Sequence, residues 1–178
     1  MTKKLQTPSQ TIGPYFAYSL TPQQYAYDFT SWTDGEMTEA LLDEKLITIT
    51  GQVFDGEGQA IDDAVVEVWQ NDGKQQFFGR YGTGTDAENR FFFKTFKPAS
   101  VNGAAPFLSV ILFMRGQLVH SYTRIYFSDE SEKNAQDEAL AQVPATRRST
   151  LVAQHQEGGV YTFNIHMQGE QETVFFDV

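Results

Sequence analysis

Residues 51–70 restrict the fold of this chain more than any other segment. They read GQVFDGEGQAIDDAVVEVWQ, in which two runs of alternating apolar residues lie on either side of a glycine-rich, acidic turn. Alternation with a period of two is typical of strands that bury one face, and Asp-Gly between two such runs is typical of a β-hairpin. The segment therefore predicts two strands joined as a hairpin.

Short runs of β-branched and aromatic residues, separated by turn residues, continue along the chain from Leu46. They cover residues 46–54, 64–70, 90–96, 107–113, 118–127, 160–167 and 173–176. Runs of this length and spacing predict a mainly β chain folded as a β-sandwich. Residues 131–156 are polar and rich in helix formers, and we expect Pro144 to divide two short helices there.

The first 45 residues differ from the rest, because they lack a sustained apolar period and contain Pro8, Gly13, Pro14 and Pro22. We expect an extended N-terminal arm over residues 1–45, docked on a sandwich formed by residues 46–178. At 178 residues, with 40% hydrophobic and 14% aromatic residues, the chain has the size and composition of a single domain.

The composition also argues against several classes of partner. The formal charge is -10, which repels a polyphosphate backbone, so we expect no nucleic-acid partner. The absence of cysteine excludes disulfides and thiolate metal sites. No stretch approaches the roughly 20 apolar residues that span a bilayer, and the N-terminus lacks the apolar centre of a signal peptide. We therefore expect a cytoplasmic protein without a membrane partner.

Several separated blocks of the sequence resemble the intradiol ring-cleaving dioxygenases, which are ferric enzymes that open catechols between their two hydroxyl groups. The resemblance covers nearly the whole chain. It is carried by residues 7–11, 13–15, 51–53, 67–70, 115–116, 123–124, 147–148, 168–170 and 172–177. It implies a sandwich of the immunoglobulin or prealbumin type, with one or two short helices in a late insertion.

The family holds ferric iron with two tyrosines and two histidines, and both histidines come from one strand in a Pro-Ala-His-x-His pattern. In this chain the matching strand carries Phe107 and Ser109 at the histidine positions. Gln75 is nearest to the first tyrosine position, although Tyr81 lies in a Gly-Arg-Tyr setting and is a less favoured candidate. No tyrosine follows Lys97 and its proline at the second position.

The three histidines of the chain lack the paired spacing of such a site. We expect His120 on a strand, His155 on a polar helix and His166 on a late strand, each as a surface or hydrogen-bonded residue. We therefore expect neither a metal ligand nor a catalytic residue in this chain.

Within the family, the sequence is similar to the iron-free α chains of two-chain enzymes. The resemblance implies a hetero-oligomer with a homologous β chain that holds Fe(III). It further implies 3,4-dihydroxybenzoate (protocatechuate) and O2 as substrates, and cleavage between the two hydroxylated carbons to 3-carboxy-cis,cis-muconate. The chain alone is expected to be inactive.

The resemblance also assigns five residues to the wall of the substrate pocket: Thr11, Gly13, Pro14, Tyr15 and Arg115. Gly13 would let the backbone approach a flat ring, Pro14 would fix the turn, and Arg115 would attract the substrate carboxylate. From the residues alone, Gly13 and Pro14 could equally form an ordinary turn. Tyr15 could be a packing residue, and Arg115 a surface charge at the end of a hairpin. An alternative function is a non-enzymatic sandwich of the same family that binds a small aromatic molecule or a protein.

Overall fold

The computed structural model describes residues 5–38, 46–71 and 74–177. Within these residues the chain forms nine strands and three short α-helices. In chain order they are α1 (Tyr15–Leu20), β1 (Leu46–Phe54), β2 (Val65–Asn71), β3 (Gln76–Gly82), β4 (Arg90–Phe96), β5 (Phe107–Phe113), β6 (Ser121–Phe127), α2 (Ser131–Gln136), α3 (Glu138–Gln142), β7 (Val152–Gln156), β8 (Val160–Thr162) and β9 (Ile165–His166). No helix in this part of the chain has the length and apolar character needed to cross a membrane.

The strands form two layers that are joined along one side. One layer has the order β3-β2-β5-β6, and the other has the order β8-β1-β4, with β9 paired to the end of β1. Strand β7 belongs to both layers: Val152 and Ala153 pair with β6, whereas the residues from Gln154 to Gln156 pair with β8. The predicted β-sandwich is confirmed, and β3 and β4 are the two ends of the strand order.

The core lies between the two layers and follows the period of two. In β5, Leu108, Val110 and Leu112 are fully buried, whereas Phe107 and Ser109 point to the outer face of the sheet and are partly buried. Burying one such aliphatic side chain stabilises a fold by about 1.5–3 kcal/mol. The core therefore fixes which residues of β5 remain available for a site on the outer face.

The segment 33–37 of the arm covers the two free strand edges. The Thr33 hydroxyl donates to the carbonyl of Phe78 on β3 at 3.2 Å, and the Arg80 amide donates to the carbonyl of Asp34 at 3.0 Å. On the other edge, the Lys94 amide of β4 donates to the carbonyl of Gly35 at 2.8 Å. Exposed edges invite pairing with other chains, so this segment protects the sandwich.

The predicted hairpin between the two strands of residues 51–70 is wrong. A tight turn does form, since the Asp55 carboxylate accepts hydrogen bonds from the amides of Glu57 and Gln59 at 2.9 and 2.8 Å. The Ile61 amide then donates to the carbonyl of Val53. Beyond that residue the chain crosses to the other layer, so that β1 pairs with β4 and β2 pairs with β3 and β5. The turn signal is local, whereas the strand partners are set by which faces are buried.

Several other elements differ from the sequence prediction. The arm contains a short helix, α1, and residues 173–176 form no strand. Strands β3 and β7 were not predicted. Both α2 and α3 precede Pro144, and only two 3-10 turns, Arg148–Leu151 and Glu157–Gly159, follow it in the described residues. Asp137 precedes helix α3 and caps its first turn through its side chain. The helix stops before Val143, because a residue before proline disfavours the helical conformation.

Candidate functional site

A cavity of about 510 Å³ opens on the outer face of the β2-β5-β6 layer. Trp69, Ser109 and Arg124 lie side by side across its floor, because Trp69 pairs with Ser109 and Ser109 pairs with Arg124 in neighbouring strands. Directly opposed residues share one face of a sheet. Residues 99–105, between β4 and β5, contribute to its wall through Ala99 and Ala105.

Phe107 and Ser109, which stand at the histidine positions of the resemblance, both line this cavity. The guanidinium of Arg124 lies 4.2 Å from the centre of the Phe107 ring. A fixed cation repels ferric iron, and neither phenyl nor the serine hydroxyl replaces an imidazole ligand. The residues present therefore do not fit the family's iron.

The environment of Arg124 is aromatic and phenolic. Its Nε donates to the Tyr122 hydroxyl at 3.4 Å, and its Nη1 donates to the Tyr126 hydroxyl at 3.3 Å. Burial raises the pKa of Tyr126 to about 12, although the bond from Arg124 opposes the shift. The Tyr126 phenol is therefore neutral at physiological pH, and its oxygen already contacts Arg124 and Asp137.

Asp137 supports the cavity from behind. Its buried carboxylate accepts a hydrogen bond from the Tyr126 hydroxyl at 3.1 Å. It also accepts hydrogen bonds from the backbone amides of Ala105 and Leu140, each at 2.9 Å. Three donors satisfy this charge and tie residue 105, at the cavity wall, to the start of α3. The carboxylate therefore acts as a structural anchor.

The other ligand candidates lie elsewhere. Tyr81 packs edge to face against Phe92 and Phe93, with ring centres 5.9 and 6.3 Å apart, and does not line the cavity. Gln75 immediately precedes β3. In the described segments, no group of three His, Asp or Glu side chains is arranged to hold a metal ion.

The histidines are dispersed over the sandwich. His120 lies one residue before β6, with its ring 5.9 Å from that of Phe113. His166 is on β9, as expected, and stacks on Phe54 at 4.9 Å. The prediction of a helix around His155 is wrong, because His155 belongs to β7, which joins the two layers.

The residues assigned to the substrate pocket lie at the opposite end of the same sheet. Gly13 has a φ of +60°, and its amide donates to the Thr11 hydroxyl at 3.1 Å. Pro14 precedes α1, and Tyr15 at the start of α1 is 68% exposed. Phe16 packs on Phe113 at 5.3 Å.

Arg115 follows the end of β5, two residues after Phe113. Ser109 and Phe113 are four residues apart on β5, a separation of about 13 Å along the strand. The structure thus brings the arm residues and Arg115 to one end of the sheet and leaves the cavity at Ser109 toward the other.

Two acidic residues that the sequence analysis did not single out bind Arg115. Its Nε donates to Asp63 at 3.0 Å, and its Nη2 donates to Asp62 at 2.5 Å. Burial raises the pKa of the Asp63 carboxyl, and the bond from Arg115 opposes the shift. The guanidinium therefore already shares its charge with two carboxyl groups from the turn that precedes β2.

Arg124 was also missed as a site residue. Its signal in the sequence is the alternation Tyr122, Arg124, Tyr126, which places two phenols and a cation on one side of a strand. The indole of Trp69, 42% exposed, belongs to the same surface.

Comparisons with known proteins place the chain in a family. No model of a protein family matches it. It is 47% identical to the protocatechuate 3,4-dioxygenase alpha chain of Burkholderia cepacia over 197 aligned positions, covering 100% of both chains. It is 36% identical to the protein of the same name from Pseudomonas putida, covering 97% of this chain and 96% of that one.

Solved structures support the same fold. The dioxygenase domain of a dioxygenase and carbohydrate-binding protein fusion from Streptomyces sp. SirexAA-E superposes with a TM-score of 0.61 at 18% identity. The match covers 94% of this chain and 99% of that domain. Since the sequence similarity to the curated relatives extends over the full chain, this protein belongs to the family of protocatechuate 3,4-dioxygenase alpha chains.

Proposed function

We propose that this chain is the iron-free subunit of a protocatechuate 3,4-dioxygenase and works with a homologous β chain that holds Fe(III). The complex cleaves 3,4-dihydroxybenzoate with O2 between its two hydroxylated carbons, giving 3-carboxy-cis,cis-muconate. The observation that carries the proposal is the full-length similarity to two alpha chains of that name. A cytoplasmic location is part of the same proposal and is compatible with the cysteine-free composition.

The contribution of this chain to catalysis is the wall of a shared pocket. Thr11, Gly13, Pro14, Tyr15 and Arg115 are proposed to face the substrate from the α side. The contact of Phe16 with Phe113 supports this arrangement, because it holds the arm against the strand that leads to Arg115. Gly13 adopts a left-handed backbone conformation, which glycine takes without strain, at the turn that leads into α1.

Exposed apolar side chains in the same two segments support a subunit interface there. The arm and the turn after Arg115 expose Ile12 (52%), Tyr15 (68%), Leu118 (62%) and Val119 (76%). Large apolar side chains exposed to this degree commonly mark a protein contact. A β chain that covers it would bury these side chains and enclose the substrate beside Arg115.

We propose that Arg115 acts on the substrate carboxylate at short range. Two aspartates bind its Nε and Nη2, so the cluster has no net positive charge with which to attract an anion from a distance. The Nη1 atom of Arg115 has no hydrogen-bond partner among the described residues. The two N–H groups of Nη1 can therefore donate to a substrate carboxylate within contact distance.

The test is to purify the chain alone and co-expressed with an iron-binding chain of the Pro-Ala-His-x-His type. Bound iron and O2 uptake with 3,4-dihydroxybenzoate are measured for both preparations. We expect iron and turnover only in the complex. Stoichiometric iron and turnover in the chain alone, or a complex that forms but consumes no O2, would overturn the proposal.

The role of Arg115 is tested in the assembled complex. Arg115→Ala removes one charge-assisted hydrogen bond and should raise KM about 10- to 100-fold. Arg90→Ala is the matched control, because Arg90 is also paired with carboxylates but lies on β4, outside the proposed pocket wall. Equal KM values for Arg115→Ala and Arg90→Ala would show that Arg115 does not contact the substrate.

A further inference from the structure

We propose that the cavity beside Arg124 is a second, non-catalytic binding site, and that it takes a small planar aromatic monocarboxylate. Trp69, Ser109 and Arg124 occupy three adjacent strands in direct register. Since neighbouring strands lie about 4.8 Å apart, the backbones that carry the indole and the guanidinium are about 10 Å apart. The short side chain of Ser109 leaves the space between them open, which suits a flat ring.

The charge of Arg124 selects an anion. Within residues 5–38, 46–71 and 74–177, no carboxylate lies within 4.0 Å of its guanidinium. Its hydrogen bonds go to two tyrosine hydroxyls at 3.3 and 3.4 Å, both long for such bonds, and none is formed by Nη2. A carboxylate bound there would replace weak contacts with charge-assisted hydrogen bonds.

The other residues that line the cavity favour a ligand with an aromatic ring. Trp69 and Phe107 present rings to the cavity, and its volume of about 510 Å³ falls in the usual range of small-molecule pockets. The Ser109 hydroxyl, 3.2 Å from that of Tyr122, offers a polar contact for orientation. Trp69, Phe107 and the small apolar residues of the wall thus suit a flat ring, and the amide side chains of the lining, which include Gln70 and Asn102, offer further polar contacts at its rim.

Acidic groups on the far side of Arg124 limit the ligand to one negative charge. Asp137 and Glu138 share with Arg124 the lining of an adjacent concavity. Asp137 is joined to the guanidinium through the Tyr126 hydroxyl. A second anionic group on the ligand would be repelled by these carboxylates, so a monocarboxylate fits best.

This inference does not depend on the proposed function, because the cavity is formed by this chain alone and lies at the other end of β5 from Arg115. It is tested on the full chain without a partner. The chain has two tryptophans, and Trp32 is 92% exposed outside the cavity. Trp32→Phe leaves Trp69 as the single tryptophan, and its fluorescence is excited selectively at wavelengths that tyrosine does not absorb.

The probe is benzoate, titrated into the Trp32→Phe protein while the fluorescence of Trp69 is recorded. We expect a saturable change. Benzamide, which is nearly the same shape but uncharged, should bind about 10- to 100-fold more weakly, the loss expected for a hydrogen bond to a charged group. Benzene-1,2-dicarboxylate, whose second carboxylate would lie beside the first and on the Arg124 side, should also bind more weakly than benzoate.

Three variants in the same background locate the site. Arg124→Met should weaken benzoate binding by about 10- to 100-fold. Arg90→Met is the matched control, because Arg90 is also an arginine stacked on a phenylalanine, 5.2 Å above Phe92, but lies away from the cavity; it should bind benzoate normally. Ser109→Leu fills the space between Trp69 and Arg124 and should abolish binding.

Circular dichroism spectra and melting temperatures establish that each variant is folded. If Arg124→Met does not fold, the comparison of benzoate with benzamide and the Ser109→Leu variant still decide the question. Equal affinity for benzoate and benzamide would overturn the assignment of a carboxylate. Unchanged binding by Ser109→Leu, or no saturable signal, would overturn the site itself.

Discussion

Replacing Arg80 with methionine should destabilise this protein severely, because it leaves a buried carboxylate without a partner. Arg80 on β3 donates from Nε and Nη2 to one oxygen of Glu67 on β2, at 2.7 and 2.5 Å, and Glu67 is only 6% exposed. Its Nη1 also donates to the carbonyl of Leu20 at the end of α1, at 3.3 Å. Methionine keeps much of the apolar stem but removes all three bonds.

The size of the effect follows from the burial of the pair. Breaking a buried ion pair by removing one partner costs about 3–5 kcal/mol, whereas replacing both partners by apolar residues is often close to neutral. We therefore expect Arg80→Met to lose about 3–5 kcal/mol and the double variant Glu67→Leu, Arg80→Met to recover most of that loss. For a chain of this length the single change corresponds to a fall in Tm of roughly 6–20 °C.

The assay is urea unfolding of the full chain followed by circular dichroism. Lys94→Met is the matched control, because Lys94 is also on a strand and pairs with Glu36 at 3.5 Å, but both side chains are about half exposed. Such a pair contributes about 0–1 kcal/mol. If Arg80→Met and Lys94→Met cost the same, or if the double variant is no more stable than Arg80→Met, the reasoning from the buried charge is refuted.

Three further perturbations test other contacts. In the complex, Asp62→Asn should lower KM several-fold, because it removes a carboxylate that competes with the substrate for Arg115; steady-state O2 uptake measures this, and a raised KM would contradict it. Hydrogen bonds from Arg90 lower the pKa of Asp86 to about 2, so its stabilisation is present above about pH 4 and lost as pH falls toward 2. Asp86→Asn should therefore cost about 1 kcal/mol at pH 7 and clearly less at pH 2, as measured by unfolding at each pH. Gly51→Ala should cost more than about 3 kcal/mol in the same assay, because a methyl group there overlaps a backbone carbonyl oxygen; a cost below about 1 kcal/mol would contradict the packing.

The sequence predicts a strand well where alternation and burial coincide. Strands β1, β4 and β5 have the bounds predicted from their apolar runs. In each of them, buried and less buried residues alternate along much of the strand. The alternation of apolar residues in the sequence therefore matches the alternation of burial in the fold. The placement of Phe107 and Ser109 on one outward face followed from the same period.

Strand β3 was missed because its glycines read locally as turn residues. Gly79 is required for a distant reason: a side chain there would collide with Met37, which belongs to the arm segment over the strand edge. Strand β7 was missed because it is polar and mostly exposed, and its pairing with both layers has no signature in its own five residues.

Part of each candidate site could not be predicted from the sequence, because it depends on contacts between residues that are distant along the chain. Asp62 and Asp63 bind Arg115 from more than 50 residues away, and only the crossing of the chain between β1 and β2 brings them there. Arg124 did lie in a visible alternation with two tyrosines. Its partners at the cavity, Trp69 and Phe107, depend on the order of three strands, which a local pattern does not contain.

The segment 33–37 gives this chain a specific vulnerability to proteases. It covers the edges of both β3 and β4, and its covering contacts include backbone hydrogen bonds to Arg80 and Lys94. A single cleavage that releases it would uncover two strand edges at once, each able to recruit another copy of the chain. Nicked subunits should therefore self-associate, and size-exclusion chromatography after limited proteolysis would detect the larger species.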